Sequence, residues 1–350
     1  MELKKIKPGR AKKRKDRQWE YIVWAGGTAG SVLLGCAVVL FGSDAGTLET
    51  LVNDESFIGH VNINARSWQA GAASCFKGWI IGDVRKQMGG INISNRVSGL
   101  SECALPDVDV PEVFDARQKW PLCFLPPYEM GNCSASWALA AAASLSQRIC
   151  IASPRKHASL RLSPQQLLSC DTSNKGCQGG SLDTVWDYMM SEGLVSESCF
   201  PYQANGTLPC SICDEEPMRL ACVCRLSTSQ IRREIFLHGP IVAAITLMND
   251  FLVYRSGVYQ ETKTASQFVD VDRQRQMHAV TVLGWGREGT LNYWIIESSW
   301  GQDWGEGGYA KVVDGGKKSN LMEFAFAGTP VHKALLPVGE EAGSQTSLGG

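Results

Sequence analysis

The chain of 350 residues has almost no net charge, because 34 Lys and Arg are offset by 35 Asp and Glu. A surface that holds nucleic acid along its length needs a clear excess of positive charge, so this balance argues against nucleic acid as a partner. The sequence also has no internal repeat, which predicts globular domains rather than a repeat array. A chain of this length can bury one large core or two small ones.

Cysteine, by contrast, is abundant: the chain has 13, of which ten lie between Cys123 and Cys224. Reduced cytosolic proteins rarely carry so many, so an oxidising compartment and disulfide bonds are predicted. The alternative is a zinc site, since Cys210 and Cys213 have C-x-x-C spacing and Cys222 and Cys224 follow closely. We favour disulfides, and we predict neither a metal nor a cofactor.

The N-terminus predicts the route into that compartment. Nine Lys or Arg lie in residues 1–20, and residues 21–41 are uncharged and mostly apolar. A transmembrane helix needs about 20 such residues, whereas the core of a cleaved signal peptide has about 7–15. We therefore predict a single-pass type II membrane protein of the secretory or endolysosomal system, with residues 1–20 cytoplasmic and the main domain lumenal or extracellular. Mitochondrial targeting is the alternative, and acidic residues among the first twenty fit it poorly.

The remaining chain divides by composition. Residues 42–104 are expected to form a core-poor stem or prosegment with Trp68 and Trp79 as its main bulky side chains. A helical, cysteine-rich stretch from residue 111 to about 230 precedes strand-like runs at 241–247, 278–284, 293–297 and 309–313. We predict an α+β domain of two packed lobes over residues 105–336, and a disordered tail over 337–350.

Several segments in this order resemble the cathepsin-B-like branch of the papain family of cysteine peptidases. They are Phe114-Asp-Ala-Arg117, Gly131-x-Cys133-x-x-Ser136-Trp137-Ala138, Ser163 to Cys170, Gly176-Cys-Gln-Gly-Gly180, Phe251 to Tyr259, His278-Ala-Val, Gly284-Trp-Gly286 and Ser299-Trp300-Gly301-x-x-Trp304-Gly305, with a prosegment-like Ser67-Trp68-Gln69-Ala70-Gly71 upstream. The resemblance covers about residues 50–331. It implies a papain-like two-lobe fold, with a helical left lobe and a β-barrel-like right lobe, behind the N-terminal transmembrane helix.

The resemblance places Ser136 at the position of the family's nucleophilic cysteine, at the start of an Ala-rich helix. A papain-like site depends on a thiolate whose pKa is lowered from about 8.5 to ~3–4 by the helix terminus and an imidazolium. A serine hydroxyl does not ionise in this way, so attack would need a general base. The simpler interpretation is a small polar residue that suits a helix start.

The supporting residues of the site also differ from the family pattern. His278 stands at the base position, but Ser298 replaces the orienting asparagine, and we expect its shorter side chain to fall short of the ring. Met130 stands where a glutamine donates to the oxyanion, and a thioether cannot donate. Losing one oxyanion donor costs roughly 10²–10³ in turnover. We therefore predict a Ser-substituted inactive homologue; the alternative is a weak hydrolase that uses Ser136 and His278.

A peptide cleft is the feature that the sequence retains. Gly179 and Gly180 correspond to the family's backbone wall beside an extended substrate, Phe324 to the floor of a specificity pocket, and Trp300 to the residue that shields the histidine. An extended peptide or protein ligand, or the chain's own prosegment, is the predicted partner. The adjacent histidines of the cathepsin B occluding loop have no counterpart between Cys199 and Cys224, so carboxydipeptidase action is excluded.

By family position, Cys123 should pair with Cys150, Cys133 with Cys177, and Cys170 with Cys210 or Cys213; the pairing of the other cysteines stays open. Asn92 and Asn205 begin glycosylation sequons and are predicted glycosylation sites.

Overall fold

A nine-stranded, mostly antiparallel sheet forms the larger half of the fold. The computed structural model describes residues 48–87, 90–92, 101–269, 275–315 and 324–331. The strands of the sheet lie in the order β1 (Trp68–Ala70), β7 (Tyr254–Tyr259), β10 (Tyr309–Val313), β9 (Leu291–Glu297), β8 (Met277–Glu288), β6 (Ile241–Thr246), β11 (Ala325–Pro330) and β5 (Leu220–Arg225), and β3 (Phe114–Asp115) pairs with β8. The four predicted strand-like runs are confirmed.

Helices cover the other half. In chain order they are α1 (Glu55–Asn64), α2 (Ile81–Gln87), α3 (Ala116–Lys119), α4 (Ser136–Ala152), α5 (Pro154–His157), α6 (Pro164–Cys170), α7 (Thr184–Ser191) and α8 (Thr228–His238). The longest, α4, is buried along almost its whole length because its Ala-rich face packs directly on β8, β6 and β11. The α+β arrangement is therefore confirmed. The helical character predicted up to residue 230 is wrong at β5 and at two strands of two residues each, β3 and β4 (Gly180–Ser181), which lie inside that stretch.

The region predicted to be a core-poor stem or prosegment packs against the domain. We call the described residues between 48 and 103 the strap. Its strand β1 pairs antiparallel with β7, and its strand β2 (Ile91–Asn92) pairs parallel with β4 (Gly180–Ser181). The expectation of a poor core is wrong, because buried strap side chains join the hydrophobic core of the domain; they are Val52, Val61, Trp68, Phe76, Ile81, Val84 and Ile91.

Five disulfides join the described residues, and they confirm the predicted oxidised state. The pairs are Cys103–Cys224, Cys123–Cys150, Cys133–Cys177, Cys170–Cys210 and Cys199–Cys213. Cys75 and Cys222 are free. The zinc alternative is wrong, because three of its four cysteines are in disulfides. A cluster of Cys199, Cys213 and Glu215 has metal-site spacing, but its two sulfurs form one of these bonds and are not free to bind an ion.

The predicted membrane anchor, residues 21–41, the basic tail before it and the C-terminal tail 337–350 all lie outside the described residues. Within the part of the chain that is described, no helix combines the length and the apolar character that a membrane span requires. All described residues belong to one compact unit.

Candidate active site and peptide cleft

Ser136 is the first residue of α4 and is almost fully buried. Its position follows from the Cys133–Cys177 disulfide and from the hydrogen bond between the Ser134 N–H and the Cys177 carbonyl, 3.0 Å, which hold the chain just before the helix. The Ser136 hydroxyl oxygen accepts a hydrogen bond of 3.3 Å from the backbone N–H of Ala279. The side chain is thus held on β8 as an acceptor.

His278 comes to the same place because it lies on β8, which packs against α4. Its ring is fully buried and stacks on Trp300, with centroids 4.5 Å apart. The Nδ1 atom is buried and has no hydrogen-bond partner among the described residues. Burial lowers the pKa of His278 from 6.5 to about 3. The ring is therefore neutral at physiological pH. Because Nδ1 has no partner among the described residues and Nε2 faces Ser298, the ring makes no hydrogen bond to Ser136.

Ser298 follows β9 directly, so the antiparallel pairing of β8 and β9 carries it toward the histidine. Its hydroxyl lies 3.1 Å from Nε2 of His278. The expectation that this side chain is too short is wrong, because the hydroxyl is within hydrogen-bond distance of the ring. The orienting hydrogen bond on this side of the ring is retained.

Met130 is buried, and its sulfur contacts the Ser299 side chain. The Ser299 hydroxyl lies 3.4 Å from Sδ, the Met130 N–H donates to the Ser299 carbonyl at 2.8 Å, and the Tyr202 hydroxyl donates to the Met130 carbonyl at 2.9 Å. These contacts fix the residue from both sides. A thioether in this position offers no hydrogen to an oxyanion.

Glu297 is a buried acid beside Ser298 that is not among the predicted site residues. Its carboxylate accepts a 2.8 Å hydrogen bond from the Gln147 side chain. Burial raises the pKa of Glu297 from 4.5 to about 7, and the charges of Arg161 and Arg117 oppose that rise only in part. A carboxyl group that directly follows the apolar run Trp294-Ile-Ile296 in a predicted strand is the signal that could have found it.

The predicted cleft wall carries an extended segment of this same chain. The Gly180 N–H donates to the Gly90 carbonyl at 2.7 Å, and Ile91 lies opposite Gly180 in the β2–β4 pairing. Gly179 has φ +109°, and a Cβ there would lie 2.1 Å from the Gly90 carbonyl oxygen. At Gly180 a Cβ would lie 2.5 Å from the Trp137 ring. Glycine at 179 lets the second backbone approach this closely, and glycine at 180 leaves room for the Trp137 ring.

The other predicted site residues fall at different depths. Trp300 is buried and contacts His278 on one side and Phe76 of the strap on the other, with the latter centroids 5.3 Å apart. Phe324 is half-buried just before β11. Asn205 is exposed, and its side-chain oxygen accepts from the Thr207 N–H and hydroxyl. The side chain of Asn92 lies outside the described residues.

The family profile described as "Papain family cysteine protease" matches residues 110–329. The chain belongs to the papain family. It is 32% identical over 318 residues to tubulointerstitial nephritis antigen-like from Rattus norvegicus, which covers 79% of this chain and 68% of that protein. It is 29% identical over 286 residues to cathepsin B-like CP3 from Giardia intestinalis, a match that covers 78% of this chain and 93% of that protein.

Among solved structures, procathepsin B S9 from Trypanosoma congolense has a TM-score of 0.70 and 28% identity, covering 81% of this chain and all of that one. Procathepsin L2 from Tenebrio molitor, at 22% identity and a TM-score of 0.67, shares the fold. Both neighbours are proenzymes, so the coverage of this chain includes a region upstream of the peptidase domain. The cathepsin-B-like resemblance is confirmed.

Proposed function

We propose that this papain-family protein has no peptidase activity and that its cleft recognises an extended peptide or protein segment. We further propose that residues 21–41 hold it in a membrane of the secretory or endolysosomal system, with the domain lumenal or extracellular. One observation carries the loss of activity. The Ser136 hydroxyl accepts from the Ala279 N–H, while Nδ1 of His278 has no hydrogen-bond partner among the described residues.

The chemistry explains why that geometry matters. A serine hydroxyl becomes a nucleophile only when a base removes its proton during attack, and the base works best when its pKa is near the working pH. Burial holds the pKa of His278 at about 3, so its basicity is far below what the step needs. At the oxyanion position, the thioether of Met130 cannot donate a hydrogen bond, and losing one such donor lowers turnover by a further factor of roughly 10²–10³.

Recognition is supported by the wall of the cleft. The glycine pair accepts an extended backbone, here Gly90–Ile91, through a 2.7 Å hydrogen bond and parallel strand pairing. This is strand addition, in which main-chain hydrogen bonds supply affinity and neighbouring pockets supply specificity. The half-buried Phe324 suits an apolar side chain of the ligand.

A weak serine-type hydrolase is the second candidate, and one observation favours it. The 3.1 Å contact between Ser298 and Nε2 of His278 keeps the ring oriented, as an active site requires.

Peptide turnover separates the two candidates. The full chain in detergent and its Ser136→Ala variant are incubated with a pooled fluorogenic peptide library, in parallel with an active cathepsin-B-like enzyme. The assay is repeated on a chain cut downstream of the strap in which Cys103 and Cys224 are both serine. We expect no turnover by any form. Turnover that Ser136→Ala abolishes would contradict the proposal and establish the hydrolase.

A further inference from the structure

The Cys103–Cys224 disulfide links two regions that the family match separates. Cys103 lies upstream of the matched residues 110–329, and Cys224 lies within them on β5, 121 positions along the chain. Cys103 is buried. The bond therefore joins the end of the strap to the peptidase domain by a covalent route that does not pass through residues 104–109.

Backbone pairing surrounds this bond. The Cys103 N–H donates to the Arg225 carbonyl at 3.1 Å, and the Arg225 N–H donates to the Ser101 carbonyl at 3.0 Å. The Gln230 side chain donates to the Cys103 carbonyl at 2.6 Å. Since β5 is the last strand in the order of the sheet, residues 101–103 extend that end of the sheet, just as β1 of the strap extends the other end.

Between these two attachments the strap lies on the cleft. Gly90 and Ile91 lie against Gly179 and Gly180, which we call the glycine wall. Phe76 contacts the Trp300 ring, which stacks on His278. Any ligand of the wall must take the place of Gly90 at the Gly180 N–H. A tethered competitor acts at an effective concentration in the millimolar range, whereas a free one is diluted away.

We propose that the strap is a permanently retained occupant of the cleft: cleavage of the chain between strap and domain leaves it in place, because Cys103–Cys224 still holds it. Residues Pro106, Asp107 and Asp109 are exposed, so this connection is open to proteases, and a cut there releases no fragment. An external ligand therefore competes with the strap before and after cleavage. The inference rests on the proposed function only in taking the glycine wall as the ligand site.

The test uses the full chain with a site-specific protease sequence placed at Val108. Hydrogen exchange of the Gly180 amide reports the strap directly, because that N–H donates to Gly90. The wild-type chain, a Cys103→Ser/Cys224→Ser variant and a Cys222→Ser variant are each measured before and after cutting. Cys222 is the matched control, since it is a free thiol on the same strand two residues from Cys224.

We expect cutting to leave Gly180 exchange unchanged in the wild-type and Cys222→Ser chains, and to speed it roughly 100-fold or more in the double variant. The uncut double variant should keep its protection, which shows that it folds. Rapid exchange in the cut wild-type chain would overturn the proposal, and so would full protection in the cut double variant, since contacts without the disulfide would then suffice.

A labelled peptide of residues 84–94 separates this proposal from the proposed function. It should bind the cut double variant roughly tenfold or more tightly than the cut wild-type chain. If Gly180 exchange shows that the strap has left and the peptide still does not bind, the retained strap stands and peptide recognition by the cleft is wrong.

Discussion

The catalytic corner (Ser136, His278, Ser298 and Met130) and the glycine wall (Gly179 and Gly180) are neighbouring regions. They differ in how much of the family pattern each keeps. On the proposed match to the family pattern, Ser136 and Met130 replace groups that the reaction needs, and Nδ1 of His278 has no hydrogen-bond partner among the described residues. At the wall, Gly179 and Gly180 still admit a second backbone, and one is present. On this proposal, catalysis can be lost while binding is kept. Catalysis depends on particular side-chain groups, whereas binding at the wall depends on room for a second backbone.

The largest effect is expected at Trp300, whose ring contacts His278 at the corner and Phe76 of the strap. Replacing a buried tryptophan that contacts His278, Phe251 and Trp304 with alanine should cost roughly 3–5 kcal/mol of the free energy of unfolding. Denaturant unfolding measures the loss. Phe76→Ala is the matched control, because it removes the strap side of the same contact. An equal or larger loss in the control would show that the strap, rather than the corner, depends most on this ring.

Rebuilding the corner tests whether the wall still serves an active site. In the chain cut below the strap and lacking Cys103–Cys224, Ser136→Cys alone should restore little turnover, because Met130 supplies no oxyanion hydrogen bond. Adding Met130→Gln and Ser298→Asn should raise kcat/KM by roughly 10²–10³. Fluorogenic peptide hydrolysis measures both variants. Strong activity from Ser136→Cys alone would show that the other two substitutions matter little.

A pH titration examines the buried acid next to the corner. Because the pKa of Glu297 in the folded protein is about 7 against 4.5 for a free carboxyl, the folded state holds its proton after the unfolded state has released it. The stabilising contribution is thus present below pH 4.5 and is lost as pH rises toward 7, by roughly 3 kcal/mol at one pKa unit per 1.36 kcal/mol. Unfolding of wild type and Glu297→Gln across that range should diverge accordingly, and parallel curves would refute the assignment.

The smallest effect is expected at Ser298. Ser298→Ala removes the 3.1 Å hydrogen bond to Nε2 of His278 and should cost about 1–2 kcal/mol of the free energy of unfolding. Urea unfolding checks it, with Ser299→Ala, which loses only the contact to the Met130 sulfur, as the comparison. If Ser298→Ala also changed peptide turnover, His278 would be working as a base.

The sequence was most informative where local pattern decides structure. The Ala-rich run after Ser136 and the apolar strand around His278 predicted α4 and β8, because helix and strand periodicity are local properties. It was least informative where distant segments meet. Neither the strap's pairing with the wall nor the Cys103–Cys224 bond has a local signature, since each depends on residues far apart in the chain. The contact between Ser298 and the ring is of the same kind, because it joins residues 20 positions apart in the chain.

Covalent labelling shows whether the Ser136 hydroxyl can act as a nucleophile. The chain cut below the strap and lacking Cys103–Cys224 is incubated with a serine-directed fluorophosphonate and with a peptide ester, and each product is read by intact and peptide mass spectrometry beside Ser136→Ala. We predict that Ser136 stays unmodified, because its hydroxyl is hydrogen-bonded to the Ala279 N–H and not to His278. An acyl or phosphonyl adduct on Ser136 in the folded protein would contradict it.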